Sequence, residues 1–127
     1  MQFSMTEHGF QGDLPFGKIE VSAKDEHGFR PFQLLVSSIA VCSGGVLRNI
    51  LEKMRMPATH ISIEVKEVQR NENEANRIEN IHLHFILEGE KIQEAKLPRV
   101  FELVKSNCSM VQSVIQSIDV HETYEVK

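Results

Sequence analysis

From Pro31 onward the chain carries apolar residues at nearly every angle around a helix axis. Phe32, Leu35, Ile39, Cys42, Val46 and Ile50 recur at three- and four-residue steps, the spacing of one helix face. Leu34, Val36, Ala40, Val41, Leu47, Leu51 and Met54 widen that stripe until little polar surface is left. Such a helix belongs at the centre of a fold or between subunits, because on a surface its apolar faces would meet water. Pro31 suits the first helical position, where a missing N–H removes nothing, and Pro57 marks the end. Gly44 and Gly45 each cost about 1 kcal/mol of helix stability relative to alanine, which predicts another backbone passing close to this turn.

The remaining segments have to cover that helix. Phe3 to Phe16 is polar, glycine-bearing and poorly patterned, whereas Ile19, Val21 and Ala23 alternate as one face of a strand. Lys24 to Gly28 reads as a loop. Ile61, Ile63 and Val65 alternate before Val68 falls out of phase, which predicts a bulge near Lys66. Arg70 to Arg77 is a polar hairpin tip, and Ile81, Leu83, Phe85 and Leu87 share one face of the return strand. Ile92 to Val104 fits a helix broken around Pro98. Asn107 to Ser117 fits a second, with Cys108, Val111, Val114, Ile115 and Ile118 inward. Val120, Tyr124 and Val126 predict a closing strand. Two adjacent strands joined by a short tip favour antiparallel pairing, hence an α+β class. No repeat or linker divides residues 1–127, so a single domain is expected.

Charge and composition narrow the partners. The net charge is −4, with no basic stripe, and with no Trp and one Tyr there is little for base stacking, so nucleic acid is not expected. The longest apolar stretch, Leu34 to Leu47, is interrupted by Ser37, Ser38, Ser43, Gly44 and Gly45 and is too short to cross a bilayer, so no membrane partner is expected. Met1 to His8 lacks a basic segment followed by an apolar one. The expectation is a cytoplasmic protein whose thiols start out reduced.

Those thiols are the candidate chemistry. Cys42 closes the apolar run of the long helix, and Cys108 lies near the start of the last one. Two cysteines cannot form a disulfide framework, but they can form one reversible bond, as a redox or peroxide-reducing site requires. The alternative is that both are small buried hydrophobes, the commonest fate of free cysteine. His82 and His84 share a strand face at a spacing found in metal sites, yet no third ligand stands nearby, and neither cysteine belongs to a Cys-x-x-Cys pair. No metal or cofactor is therefore expected. His8, His27 and His60 are the histidines that tertiary structure would have to bring to a thiol. Ser37, Ser38 and Ser43 read as small packing residues of the helix, since no Gly-x-Ser-x-Gly elbow is present.

The run Pro31-Phe-Gln-Leu-Leu-Val-Ser-Ser-Ile-Ala-Val-Cys42-Ser-Gly-Gly resembles the central helix of the OsmC/Ohr family, the osmotically inducible protein C and organic hydroperoxide resistance proteins. Cys108-Ser-Met-Val is similar to the family's second signature, a cysteine opening a late helix. The order and spacing of the two motifs fit across essentially the whole chain. The resemblance implies an α+β fold with an antiparallel sheet wrapped around a long central helix, in an intertwined homodimer. It also implies thiol-dependent reduction of organic hydroperoxides: Cys42 would attack the peroxide, Cys108 would resolve the sulfenic acid, and an external dithiol would restore both. Family peroxidases set a glutamate directly after the helix-opening proline or one residue later, where this chain has Phe32 and Gln33. Their arginine comes from the N-terminal sheet, where this chain offers Lys18; Arg30, directly before Pro31, does not match the motif. The other reading the resemblance leaves open is a non-catalytic or redox-sensing relative that holds an apolar ligand in the dimer cleft.

Overall fold

Helix α1 spans Pro31–Lys53 in a computed structural model that describes residues 1–127. It starts where the proline predicts. The backbone N–H of Arg30 donates to Gln33 Oε1 at 3.2 Å, so the glutamine reaches back over the helix entrance as the third residue of a capping box does. Its end comes earlier than Pro57 suggests. Arg55 turns left-handed at φ 61°, and the N–H groups of Arg55 and Met56 donate to Glu52 O (3.0 Å) and Leu51 O (2.8 Å), the bonding of a Schellman stop.

The buried side of α1 is not the face first picked out by spacing. Ile39, Ser43, Leu47 and Leu51, four residues apart, are 0–1 % exposed, whereas Leu35 and Val41 are exposed. With 23 residues the helix is also long and apolar enough to cross a bilayer, unlike the shorter Leu34–Leu47 stretch. Core helices pass the same test, and this sealed stripe is what a core helix shows.

Two compact units make up the chain, residues 1–37 and 38–127. In the first, β1 (Phe3–Met5), β2 (Phe10–Asp13) and β3 (Lys18–Val21) form an antiparallel sheet in that order. The segment Phe3 to Phe16 is therefore patterned after all, in strands too short for alternation to register. Met5, Phe10 and Val21 stand in one cross-strand row, and Phe3, Gly12 and Ile19 in the next. Glycine is required at the centre, because a Cβ on Gly12 would lie 2.7 Å from the Phe3 ring.

In the second unit β4 (His60–Asn71) and β5 (Arg77–Glu88) form the expected hairpin, with a register shift between Val65 and Glu67 at the predicted bulge. Ile81, Leu83, Phe85 and Leu87 point into the core at 0–1 % exposure. On the opposite face, His82 and His84 both hydrogen-bond the Thr123 hydroxyl, at 2.8 and 2.7 Å. A 3-10 turn at Glu94–Lys96 leads into α2 (Leu97–Asn107), with Pro98 in its first turn, and then α3 (Ser109–Val114). This crossover carries the chain back to the end of the sheet from which β5 began. Strand β6 (Asp119–Val126) consequently pairs parallel to β5, and the expected antiparallel sheet is a mixed one, β4-β5-β6. Phe101 of α2 ties the layers together, edge-on to Phe85 and stacked on Tyr124, with centroids at 5.3 and 4.6 Å.

Candidate functional site

Cys42 sits one position before the sealed Ser43 and is itself partly exposed. Cys108 does not lie inside a helix as its apolar neighbours suggest; it is the hinge between α2 and α3. With φ −81° and ψ 110° it ends the first helix and caps the second. Its sulfur accepts the Val111 N–H at 3.5 Å, the role usually given to a serine or aspartate oxygen. That conformation turns the thiol inward, where it is fully buried.

The fold brings the two sulfurs together. Cys108 and the backbone N–H groups of Met110 and Ser109 at the start of α3 stand near enough to Cys42 to favour the thiolate form of its Sγ. The Ser109 hydroxyl stands 3.7 Å away. These donors hold the Cys42 pKa below the ordinary thiol value, the Met110 N–H contributing most; partial burial opposes them. Burial has the opposite result at Cys108, whose pKa is pushed up. The Ser43 hydroxyl and the Val111 N–H oppose that rise and the neighbouring Cys42 reinforces it. One thiol is thus partly exposed with its pKa held down, and its partner is sealed with its pKa pushed up.

Two further residues belong to the site. Ser43 is no mere packing residue: its hydroxyl donates to Cys108 Sγ at 3.4 Å and stands near enough to the Glu122 carboxyl to act on its pKa. Glu122 stands on β6 opposite Leu83, so its side chain points to the core face of the sheet. Its Oε2 is buried without a hydrogen-bond partner, and burial pushes its pKa up against Ser43 and the positive Lys105. Sequence reading missed this residue. Its signal was phase, because Glu122 falls on the same alternation as Val120, Tyr124 and Val126.

Other expectations fare differently. None of the groups acting on Cys42 is a histidine: His60 pairs with Ser62 at 3.2 Å, and His8 and His27 stack on each other at 3.7 Å. The neighbour crowding Gly44 is not a backbone but the Ile63 side chain, whose Cδ1 would lie 2.6 Å from an added Cβ; Gly45 faces open space. Gly44, Gly45, Val41, Arg48, His60 and Ile63 help line an open groove of about 450 Å³, which Cys42 does not line. Where the family glutamate would stand, Gln33 caps α1; Arg30 lies over the Phe32 ring at 4.8 Å.

Comparison with known proteins places this arrangement. The model of the OsmC-like protein family matches residues 23–123. Protein YhfA of Escherichia coli K12 is 28% identical over 98 residues, 76% of this chain and 72% of that protein. A hypothetical protein from Aquifex aeolicus VF5 superposes with a TM-score of 0.86 at 27% identity, covering 99% of this chain and 93% of that one. The organic hydroperoxide resistance protein OhrB of Bacillus subtilis shares the fold, with a TM-score of 0.66 at 14% identity over 98% of both chains. With the family match running through most of its length, the chain belongs to the OsmC-like family.

Proposed function

We propose that the protein is a thiol peroxidase that reduces organic hydroperoxides. The observation supporting this is the asymmetry between its two adjoining sulfurs. The Cys42 thiolate attacks the distal peroxide oxygen, the O–O bond breaks, and the alkoxide leaves to take a proton as an alcohol. Cys42 is then a sulfenic acid. Cys108 attacks that sulfur, its proton departs with the hydroxyl group as water, and a Cys42–Cys108 disulfide forms. An external dithiol supplies two electrons and two protons to restore both thiols. The activation usually sought in a charged side chain comes here from backbone N–H donors at Met110 and Ser109. Recycling by a dithiol suits a reducing compartment such as the cytoplasm.

A homodimer completes this reading. Phe3, Met5 and Phe10 stand on one face of the small sheet at 45 %, 81 % and 53 % exposure, and apolar surface of this kind is what a second copy covers. Mass measurement in solution should give twice the chain mass, and Phe10→Glu should return the monomer.

The peroxidase test is direct. Cumene hydroperoxide added to reduced protein should be consumed with loss of both thiols and appearance of the intramolecular disulfide by mass spectrometry. Cys42→Ser should abolish consumption, whereas Cys108→Ser should leave a sulfenic acid that a dimedone probe traps. Inert thiols in excess peroxide would instead favour the second reading, a binding protein. The groove beside Gly44, which Cys42 does not line, supports that alternative.

A further inference from the structure

One hydroxyl at the site has a single partner, and that partner is the attacking sulfur. The Ser109 side chain stands 3.7 Å from Cys42 Sγ and makes no other hydrogen bond. Its main chain is held from the next turn, where the Ser113 hydroxyl donates to Ser109 O at 2.7 Å. Ser109 is exposed and Cys42 partly so, whereas the contact between Ser43 and Cys108 is buried. The serine therefore meets Cys42 on the side that solvent, and a peroxide, can reach. A thiol could give its hydrogen to the serine, but the thiolate is the form that attacks, and it can only accept. In the reactive state the serine hydrogen points at the reacting atom.

Cleaving a peroxide also needs help at a second atom. The thiolate electron pair forms a bond to the distal oxygen, which keeps its hydrogen and leaves Cys42 oxidised to a sulfenic acid. The O–O pair collects on the other oxygen, which departs as an alkoxide. Alkoxides leave slowly unless a hydrogen-bond donor meets the charge as it develops. No charged side chain hydrogen-bonds Cys42; Gln33 caps α1, and Arg30 lies over the Phe32 ring. We propose that Ser109 is a catalytic residue, its hydroxyl turning from the Cys42 sulfur to the departing oxygen. This deepens the peroxidase reading and rests on it. The serine keeps its proton, and the alkoxide takes one from water on the exposed side. A bond that strengthens only as charge appears speeds the step rather than tightening binding. It also sets a preference: Ser109 assists alkyl hydroperoxides, which expel an alkoxide, far more than peracids, which expel a stable carboxylate.

The test compares two oxidants on one sulfur. Reduced wild type, Ser109→Ala and Ser109→Thr are mixed with tert-butyl hydroperoxide or with peracetic acid. Loss of the Cys42 thiol in the first turnover is followed by quenching and mass spectrometry. Each rate is divided by that variant's rate with iodoacetamide, measured at a pH where alkylation has reached its plateau. Alkylation expels iodide, which needs no donor, so the ratio removes any change in sulfur access or ionisation. Ser109→Ala should slow tert-butyl hydroperoxide roughly tenfold, below the ~10²–10³ of a rigid oxyanion donor because water competes with an exposed hydroxyl. Its rate with peracetic acid should stay close to that of the wild type. Ser109→Thr keeps the hydroxyl and should restore the rate with tert-butyl hydroperoxide. Equal slowing with both oxidants, slowing with neither, or a threonine as slow as alanine overturns the role of Ser109 and leaves the peroxidase reading standing. A wild type inert to tert-butyl hydroperoxide overturns both.

Discussion

Replacing Gly44 and Gly45 by alanine, one at a time, should have unequal effects. Glycine inside a helix costs about 1 kcal/mol relative to alanine, so each exchange begins with that gain. At Gly45 an added Cβ meets nothing within 4 Å, and the gain stands. For a chain of 127 residues this raises the melting temperature by about 4 °C. At Gly44 the new methyl group would stand 2.6 Å from Ile63 Cδ1. The Ile63 terminus must swing off its rotamer, at about 0.5–1.5 kcal/mol, which cancels most or all of the gain. Differential scanning calorimetry should therefore rank Gly45→Ala clearly above wild type and Gly44→Ala near it. Removing the obstructing atom with Ile63→Val should make Gly44→Ala stabilising against that new background. Equal stabilisation by both alanines would show that Ile63 does not hold the Gly44 face. A loss at Gly45 would show that the open space beside it is occupied in solution.

Three other expectations follow from single contacts. Met110→Pro deletes the N–H that contributes most to holding the Cys42 pKa down, at a first-turn position that tolerates proline. The Cys42 thiolate fraction at neutral pH should fall, so iodoacetamide labelling should slow at pH 7 and converge with wild type at high pH; an unchanged profile refutes the backbone origin of the activation. Arg55→Gly relieves a left-handed residue at the end of α1 and should stabilise by about 1 kcal/mol in urea melts, with no change in slope. Phe101→Ala empties the space between the Phe85 and Tyr124 rings and should cost about 3 kcal/mol; a loss below 1 would mean that the rings close up over the gap.

The parts of the fold legible in the sequence are those with long, local periodicity. Helix α1, the β4–β5 hairpin and even the bulge after Val65 announce themselves, because each is specified by residues a few positions apart. Strands β1 and β2 do not, since three or four residues cannot display an alternation. The parallel placement of β6 depends on where a long crossover ends, which no local pattern records. At the site, both cysteines were legible from residue type. Ser43 was visible at the right helical phase with Ile39, Leu47 and Leu51, but its smallness suggested packing. Glu122 was legible only as a charged residue out of keeping with its inward neighbours. The Met110 N–H carries no sequence signal at all, because almost any residue would present one.

On the proposed peroxidase reading Cys108 does two jobs with one atom, and they are incompatible. While reduced, its sulfur holds the open end of α3 by accepting the Val111 N–H. A sulfur drawn across to Cys42 must relinquish that amide, and a six-residue helix has little else to keep its first turn wound. Oxidation is thus written into backbone order as well as into a bond. A reductant approaching the oxidised protein meets a frayed segment at residues 109–114, and faster amide exchange there would report the redox state of the pair.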